Sequence, residues 1–156
     1  MILYHGTNKD FDSIDLNLSN PYKDFGRGFY LTEIRKQAEK MAQKKSKIYG
    51  GFPIVQEYEF DLSDERIVDL KVMKFLTPNK EWANFIYKNR NRNSGYTHEY
   101  DIVIGPIADD GVAYLLGRYE EGTLNIDELA RELEYKKLNN QYFFGTKKSL
   151  ELLKRK

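Results

Sequence analysis

The apolar positions of this chain change period several times, and each change marks an element. Residues 2–5, ILYH, form a short apolar run that ends on a histidine before a glycine, which predicts a strand. Residues 8–28, NKDFDSIDLNLSNPYKDFGRG, keep neither the helical nor the strand period and are rich in turn-forming residues, so they predict a long loop. GFYLT, 28–32, is a second strand. In EIRKQAEKMAQKK, 33–45, Ile34, Ala38, Met41 and Ala42 recur at helical spacing, which predicts a helix with Met41 on its core face. In IVQEYEFDL, 54–62, Gln56, Tyr58 and Phe60 alternate with Val55, Glu57 and Glu59, the pattern of a half-buried strand.

RIVDL, 66–70, reads as a further strand. Thr77-Pro78 predicts a helix start, with Thr77 as N-cap and Pro78 in the first helical position. Trp82, Phe85 and Ile86 mark its buried side. YDIVIGP, 100–106, is a strand stopped by Gly105-Pro106, and DDGVAYLLGRYEEG, 109–122, suits a helix or a turn. IDELARELEYKKL, 126–138, is a helix with Ile126, Leu129, Ala130 and Leu133 on one face. QYFFGT, 141–146, is the last strand, and KKSLELLKRK a short terminal element whose final KRK reads as a solvated tail. Strands open and close the chain with helices between them, which favours α+β over regular βαβ winding.

Composition narrows the picture. A chain of 156 residues suits one domain over 1–156, large enough to bury roughly 70% of its unfolded surface. Lys plus Arg, 25, nearly balances Asp plus Glu, 24, so no global charge points to nucleic acid or membrane. The absence of cysteine excludes disulfides, thiolate nucleophiles and cysteine zinc sites, and fits a reducing cytoplasm. No basic stretch followed by an apolar one opens the chain, so no signal peptide is expected. No run approaches the roughly 20 apolar residues of a membrane span.

Two stretches carry candidate chemistry. LYHGT, 3–7, puts one of only two histidines at the end of the first strand. FGRGFYLT, 25–32, brackets Arg27 with Gly26 and Gly28 just before a strand, giving room for unusual backbone angles or a close ligand. It is not a phosphate loop, because no GKS or GKT is present and no helix follows the glycines. His98 has no second His or Cys at ligand spacing, so no metal is expected. YKNRNRNSG, 87–95, interleaves Lys88, Arg90 and Arg92 with Asn, a solvated loop with the charge to meet an acidic or nucleic-acid partner. Asp109 and Asp110 suit a helix N-terminus.

Taken together, LYHGT, FGRGFYLT and the helix behind them resemble the ADP-ribosyltransferase superfamily. The closest branch is the His-Tyr-Glu class, which includes diphtheria toxin and the poly(ADP-ribose) polymerases. The third signature residue, usually Glu, opens a strand near the C-terminus; in NNQYFFGT that place holds Gln141. The likeness is nearest to small bacterial stand-alone members, some of which are toxins. It implies two small packed sheets around an NAD cleft with flanking helices, and a mono-ADP-ribosyltransferase that uses NAD as co-substrate without a metal.

The resemblance assigns roles residue by residue. His5 would hydrogen-bond the adenosine ribose, with Thr7 as a second contact. The Gly6 backbone would hold the nicotinamide carboxamide, Tyr30 would stack on the nicotinamide ring, and Gly28 would give room beside it. Gln141 would face the ribose, but an amide carries no charge and cannot act as base, so single transfer is expected rather than chain elongation. Glu57, Glu59 and Glu99 are the other carboxylates considered, each read as facing the surface. No second aromatic sandwiches the nicotinamide from the 33–45 helix. The expected partners are NAD, a protein or nucleic-acid acceptor and an antitoxin protein. The rivals are a degenerate NAD or ADP-ribose reader, and an NAD-using RNA 2′-phosphotransferase, which normally needs additional Arg and His residues.

Overall fold

A computed structural model describes residues 1–156 apart from Tyr135. The strands are β1 (Ile2–Thr7), β2 (Phe29–Thr32), β3 (Ile54–Glu59), β4 (Val72–Lys74), β5 (Ile102–Pro106), β6 (Asn140–Phe144) and β7 (Lys154–Arg155). The helices are α1 (Arg35–Tyr49), α2 (Lys80–Arg90), α3 (Asp110–Glu120), α4 (Ile126–Leu133) and α5 (Lys147–Leu150). The strands form one mixed sheet in the order β4-β5-β6-β2-β1-β3-β7, a fold of the α+β class. Only β4 and β5 run parallel; the other neighbours are antiparallel.

The sheet is buried on both faces at its centre, and the side-chain period of two sorts the apolar residues between two cores. Phe143 of β6 and Val103 of β5 join Trp82, Ile86, Leu116 and Leu129, which α2, α3 and α4 bring to one face. Their neighbours Tyr142, Phe144, Ile102 and Ile104 join Leu3, Tyr58 and Phe60 on the other. That is why YFF and IVI read as continuous apolar runs, whereas β3 alternates, with Gln56 and Tyr58 buried and Glu59 exposed. Helix α1 lies across β1, with Ala38 and Ala42 as its buried residues.

Several expectations are corrected. The two small sheets are one continuous sheet, although β1 and β2 join through a single registered pair, Tyr4↔Thr32. RIVDL is a 3-10 turn over Glu65–Asp69, because the Asp64 side chain caps it by accepting from Arg66 N–H; the strand comes later, as β4. The cap of α2 is Asn79, whose side chain accepts from Trp82 N–H, and Thr77-Pro78 precede the helix. The stretch 109–122 is helical, as α3. The 126–138 helix is described as Ile126–Leu133; Tyr135 lies outside the described residues. The final KRK is not a free tail: β7 pairs with β3, and Arg155 meets Asp10 and Asp12. Among the described residues no helix is long and apolar enough to cross a membrane.

Candidate functional site

β1 pairs with β3 along its whole length but with β2 only at Tyr4, so a seam opens in the sheet just beyond that residue. His5 fills the seam. Alternation alone sends its side chain to the face opposite Gly6 and Tyr30, and its ring packs tilted against Phe29 with centroids 4.3 Å apart. Its Nδ1 lies 2.8 Å from the Tyr30 carbonyl oxygen. A carbonyl only accepts, so Nδ1 carries the proton and Nε2 the lone pair. Among the described residues no buried side-chain nitrogen lacks a partner, so the unpartnered Nε2 reaches solvent. Burial, then the charge of Lys45, then that of Lys23 push the imidazole pKa down to about 3 against the pull of the Tyr30 carbonyl. The ring is therefore neutral at physiological pH, with a lone pair at Nε2 that takes up no proton near neutrality.

A cleft of about 520 Å³ opens at this seam, between α1 and strands β1, β2 and β6. His5, Tyr30 and Gln141, far apart in the chain, all line it. The Tyr30 hydroxyl donates to the Gly26 carbonyl at 2.6 Å and accepts from Phe25 N–H at 3.0 Å, which fixes the ring. Burial raises its pKa well above the ordinary phenol value. Gln141 sits between β2 and β5, opposite Thr32 and Gly105, and is 9% exposed. Its Nε2 points at two acceptors, Asp24 Oδ2 at 3.4 Å and the Pro106 carbonyl at 3.5 Å. These fix the amide orientation, so the carbonyl oxygen Oε1 is the atom left for the cleft. Asp24 is in turn held by Arg90, whose Nε donates to Oδ1 at 2.7 Å.

The remaining predicted residues have packing roles. A Cβ on Gly6 would stand 2.1 Å from the Ala38 carbonyl oxygen and 2.9 Å from Ala42 N, so Gly6 is what lets α1 lie so close to β1. Gly6 also lines the cleft, and its carbonyl accepts from Lys45 Nζ at 2.8 Å. A Cβ on Gly28 would collide with the Phe143 ring at 2.1 Å. The Thr7 hydroxyl is spent on the backbone of Lys9, donating to its carbonyl at 3.1 Å and accepting from its N–H at 3.3 Å. Neither Thr7 nor Gly28 lines the cleft.

Met41 is not a core residue: it is 47% exposed and lines the cleft. The close approach at Gly6 leaves room beneath α1 only for alanines, and Met41 falls beyond that strip. Lys23, Lys40, Lys44 and Lys45 line the cleft and were not among the sequence candidates. A signal for three of them was present, since α1 carries five lysines against the single acid Glu39. Asp109 and Asp110 stand at the cleft where α3 begins, with Asp109 capping α3 through Val112 N–H at 2.8 Å. The carboxylates considered as substitutes lie elsewhere: Glu57 pairs with Arg35, Glu59 with Lys156, and Glu99 with Lys71.

A second cavity of about 510 Å³ shares no lining residue with the cleft and takes in Tyr22, Arg27, Arg92 and His98. Of the 87–95 stretch, residues up to Arg90 belong to α2, and Arg92 stacks over Tyr22 at 4.4 Å. Both nitrogens of His98 are engaged by backbone, Nε2 with the Phe25 carbonyl at 2.6 Å and Nδ1 with Tyr100 N–H at 3.1 Å. Among the described residues no group of three or more His, Cys, Asp or Glu could hold a metal ion.

One family model matches residues 1–155; its description is "Protein of unknown function (DUF3990)". No curated protein and no solved structure matches the chain.

Proposed function

This chain belongs to the DUF3990 family, and we propose that it is an NAD-dependent mono-ADP-ribosyltransferase whose active site is the seam cleft. The observation that carries the reading is the convergence of His5, Tyr30 and Gln141 on that one cleft. These are the three positions that the resemblance picked from both ends of the chain.

In this reading His5 Nε2 accepts a hydroxyl of the adenosine ribose, a role suited to a ring held neutral. Tyr30 offers its face to the cationic nicotinamide, a face that already attracts the Lys23 ammonium at 4.7 Å from the ring centroid. The Gly6 backbone meets the carboxamide. Gln141 Oε1 accepts a hydroxyl of the nicotinamide ribose and stabilises the oxocarbenium-like state by its dipole alone. The bond between nicotinamide nitrogen and ribose C1′ breaks with its electron pair leaving on nicotinamide. An acceptor nucleophile, from a protein side chain or a nucleic acid, or else water, then attacks C1′ and gives up its proton to solvent. Thr7 and Gly28 support the site from behind.

The neutral amide at position 141 favours one second reading, a non-catalytic NAD or ADP-ribose reader. The RNA 2′-phosphotransferase reading weakens, because His98 lines the other cavity and has both nitrogens engaged. Calorimetric titration with NAD tests the shared core of the first two readings. His5→Ala and Tyr30→Ala should each weaken binding by about 1–3 kcal/mol, the range of a lost polar contact or ring partner. Equal binding by wild type and both variants, or no binding of NAD and, in a second titration, of ADP-ribose, refutes both readings.

A further inference from the structure

We propose that Lys23 and Lys45 form a clamp for a diphosphate group, one from each wall of the cleft, with Lys40 and Lys44 at its rim. The clamp deepens the NAD reading and takes from it the identity of the whole ligand, while the anion chemistry stands on the lysines themselves.

The charges around the cleft are unbalanced. Among the described residues none of these four lysines forms an ion pair, although Arg35 of the same helix meets both Glu39 and Glu57. Of the nearby carboxylates, Asp24 pairs with Arg90 and Asp109 caps α3, while Asp110 also lines the cleft and forms no ion pair with any of the four lysines. Lys45 is half-buried, and its one hydrogen-bond partner is the neutral Gly6 carbonyl. An ammonium has three donors, so two remain unspent. Lys23 is an exposed residue whose ammonium is partly covered by the Tyr30 ring it rests on.

The two cations also act on each other. Desolvation and then the charge of Lys23 lower the Lys45 pKa to about 8. Desolvation lowers that of Lys23, against the opposing pull of Asp24. Both charges depress His5. Two ammoniums that feel each other across the cleft mark an electropositive spot in which, among the described residues, neither cation has a carboxylate paired to it.

The matching ligand is an anion with a charge for each wall. A carboxylate has one charge to offer. A diphosphate has two phosphoryl groups, and lysine binds phosphate as a point charge without a required fork geometry. Lys45 adds phosphoryl oxygens to its Gly6 contact, while Lys23, on a flexible stem, exchanges the face of Tyr30 for an oxygen. That exchange frees the aromatic face for a planar cationic ring on the same ligand.

The test uses the full chain with inorganic pyrophosphate, orthophosphate and nicotinamide as separate probes. Lysine acetylation at pH 8, read by mass spectrometry, should show Lys23 and Lys45 protected severalfold by pyrophosphate, less by orthophosphate and not by nicotinamide. Lys36 and Lys47, exposed on α1 and outside the cleft, serve as unprotected controls. In titrations Lys23→Met and Lys45→Met should each weaken pyrophosphate binding by about 10-fold or more, with Lys45→Arg retaining most of it. Thermal melts establish that each variant is folded, and the footprint on wild type needs no variant.

The clamp is overturned if pyrophosphate protects neither lysine, if orthophosphate protects as well as pyrophosphate, or if the folded Met variants bind pyrophosphate as wild type does. Its failure is separable from failure of the NAD reading. Clamp variants that lose pyrophosphate in a protein that neither binds nicotinamide nor cleaves NAD uphold the clamp and refute the reading. NAD cleavage with unchanged NAD and pyrophosphate affinity in both Met variants does the reverse.

Discussion

Gly6→Ala separates a packing role from a ligand role at the residue next to His5. The added Cβ would stand 2.1 Å from the Ala38 carbonyl oxygen and 2.9 Å from Ala42 N, and both neighbours are helix backbone. Restoring an ordinary contact of about 3.4 Å requires β1 and α1 to part by about 1.3 Å. No side chain can turn aside to supply that space. Overpacking of this kind costs about 1–3 kcal/mol, and clashes with two backbone atoms place it at the upper end. Relief of glycine's backbone entropy returns about 0.5–1 kcal/mol. The net loss of about 2 kcal/mol should lower Tm by about 4–8 °C in a chain of this length. Thermal and urea unfolding measure it, with Gly117→Ala as control. Gly117 lies inside α3 with nothing within 4 Å of an added Cβ, so that substitution should stabilise by up to about 1 kcal/mol. A Gly6→Ala protein that melts with wild type refutes the packing argument and returns Gly6 to a purely ligand-facing role.

Three further outcomes follow from the same geometry. Gln141→Glu points a carboxyl at two acceptors, Asp24 Oδ2 and the Pro106 carbonyl, so its folded pKa rises and the protonated form is favoured. Its stability relative to wild type should fall as pH rises from about 4.3, the ordinary Glu value, towards neutrality; a flat difference from pH 4 to 8 in urea unfolding contradicts this. His5 is pushed from 6.5 to about 3, so below pH 6.5 the unfolded chain takes up a proton that the fold refuses. Stability should therefore be fully present above about pH 6.5 and fall towards pH 3, by at most about 5 kcal/mol at 1.36 kcal/mol per unit; an NMR titration of the ring at Nδ1 and Nε2 showing a midpoint near 6.5 rules it out. Gly28→Ala drives a methyl into the Phe143 ring and should destabilise by about 1–3 kcal/mol while leaving the cleft walls in place; unchanged unfolding contradicts that packing.

Much of the fold was legible because its signals are local. The alternation of Gln56, Tyr58 and Phe60, the apolar runs of β5 and β6, and the helical spacing of Ala38 and Ala42 all reappear as elements. What was not legible depended on partners distant in the chain. RIVDL has strand composition, yet a side-chain cap from Asp64 turns it into a 3-10 segment. KRK reads as solvated until Asp10 and Asp12 are brought to Arg155. In the cleft lining, motif reading named His5, Tyr30 and Gln141, which the fold brings together, but misread Met41, whose exposure follows from the closeness of α1 to Gly6. It also passed over the lysines, because a helix rich in lysine looks like a solvated face until Lys23 is seen beside it. The link between Asp24 and Gln141 spans most of the chain and leaves no local trace.

On our proposal, the seam cleft breaks the bond between nicotinamide and ribose. The direct measurement is chromatographic quantification of free nicotinamide after incubating purified protein with NAD, for wild type and Gln141→Ala. Wild type should release nicotinamide and Gln141→Ala should lose about 10-fold or more of that rate, since one lost transition-state contact is worth roughly 1.4 kcal/mol or more. Wild type that releases no nicotinamide, or a folded Gln141→Ala that releases it at the wild-type rate, overturns the proposal.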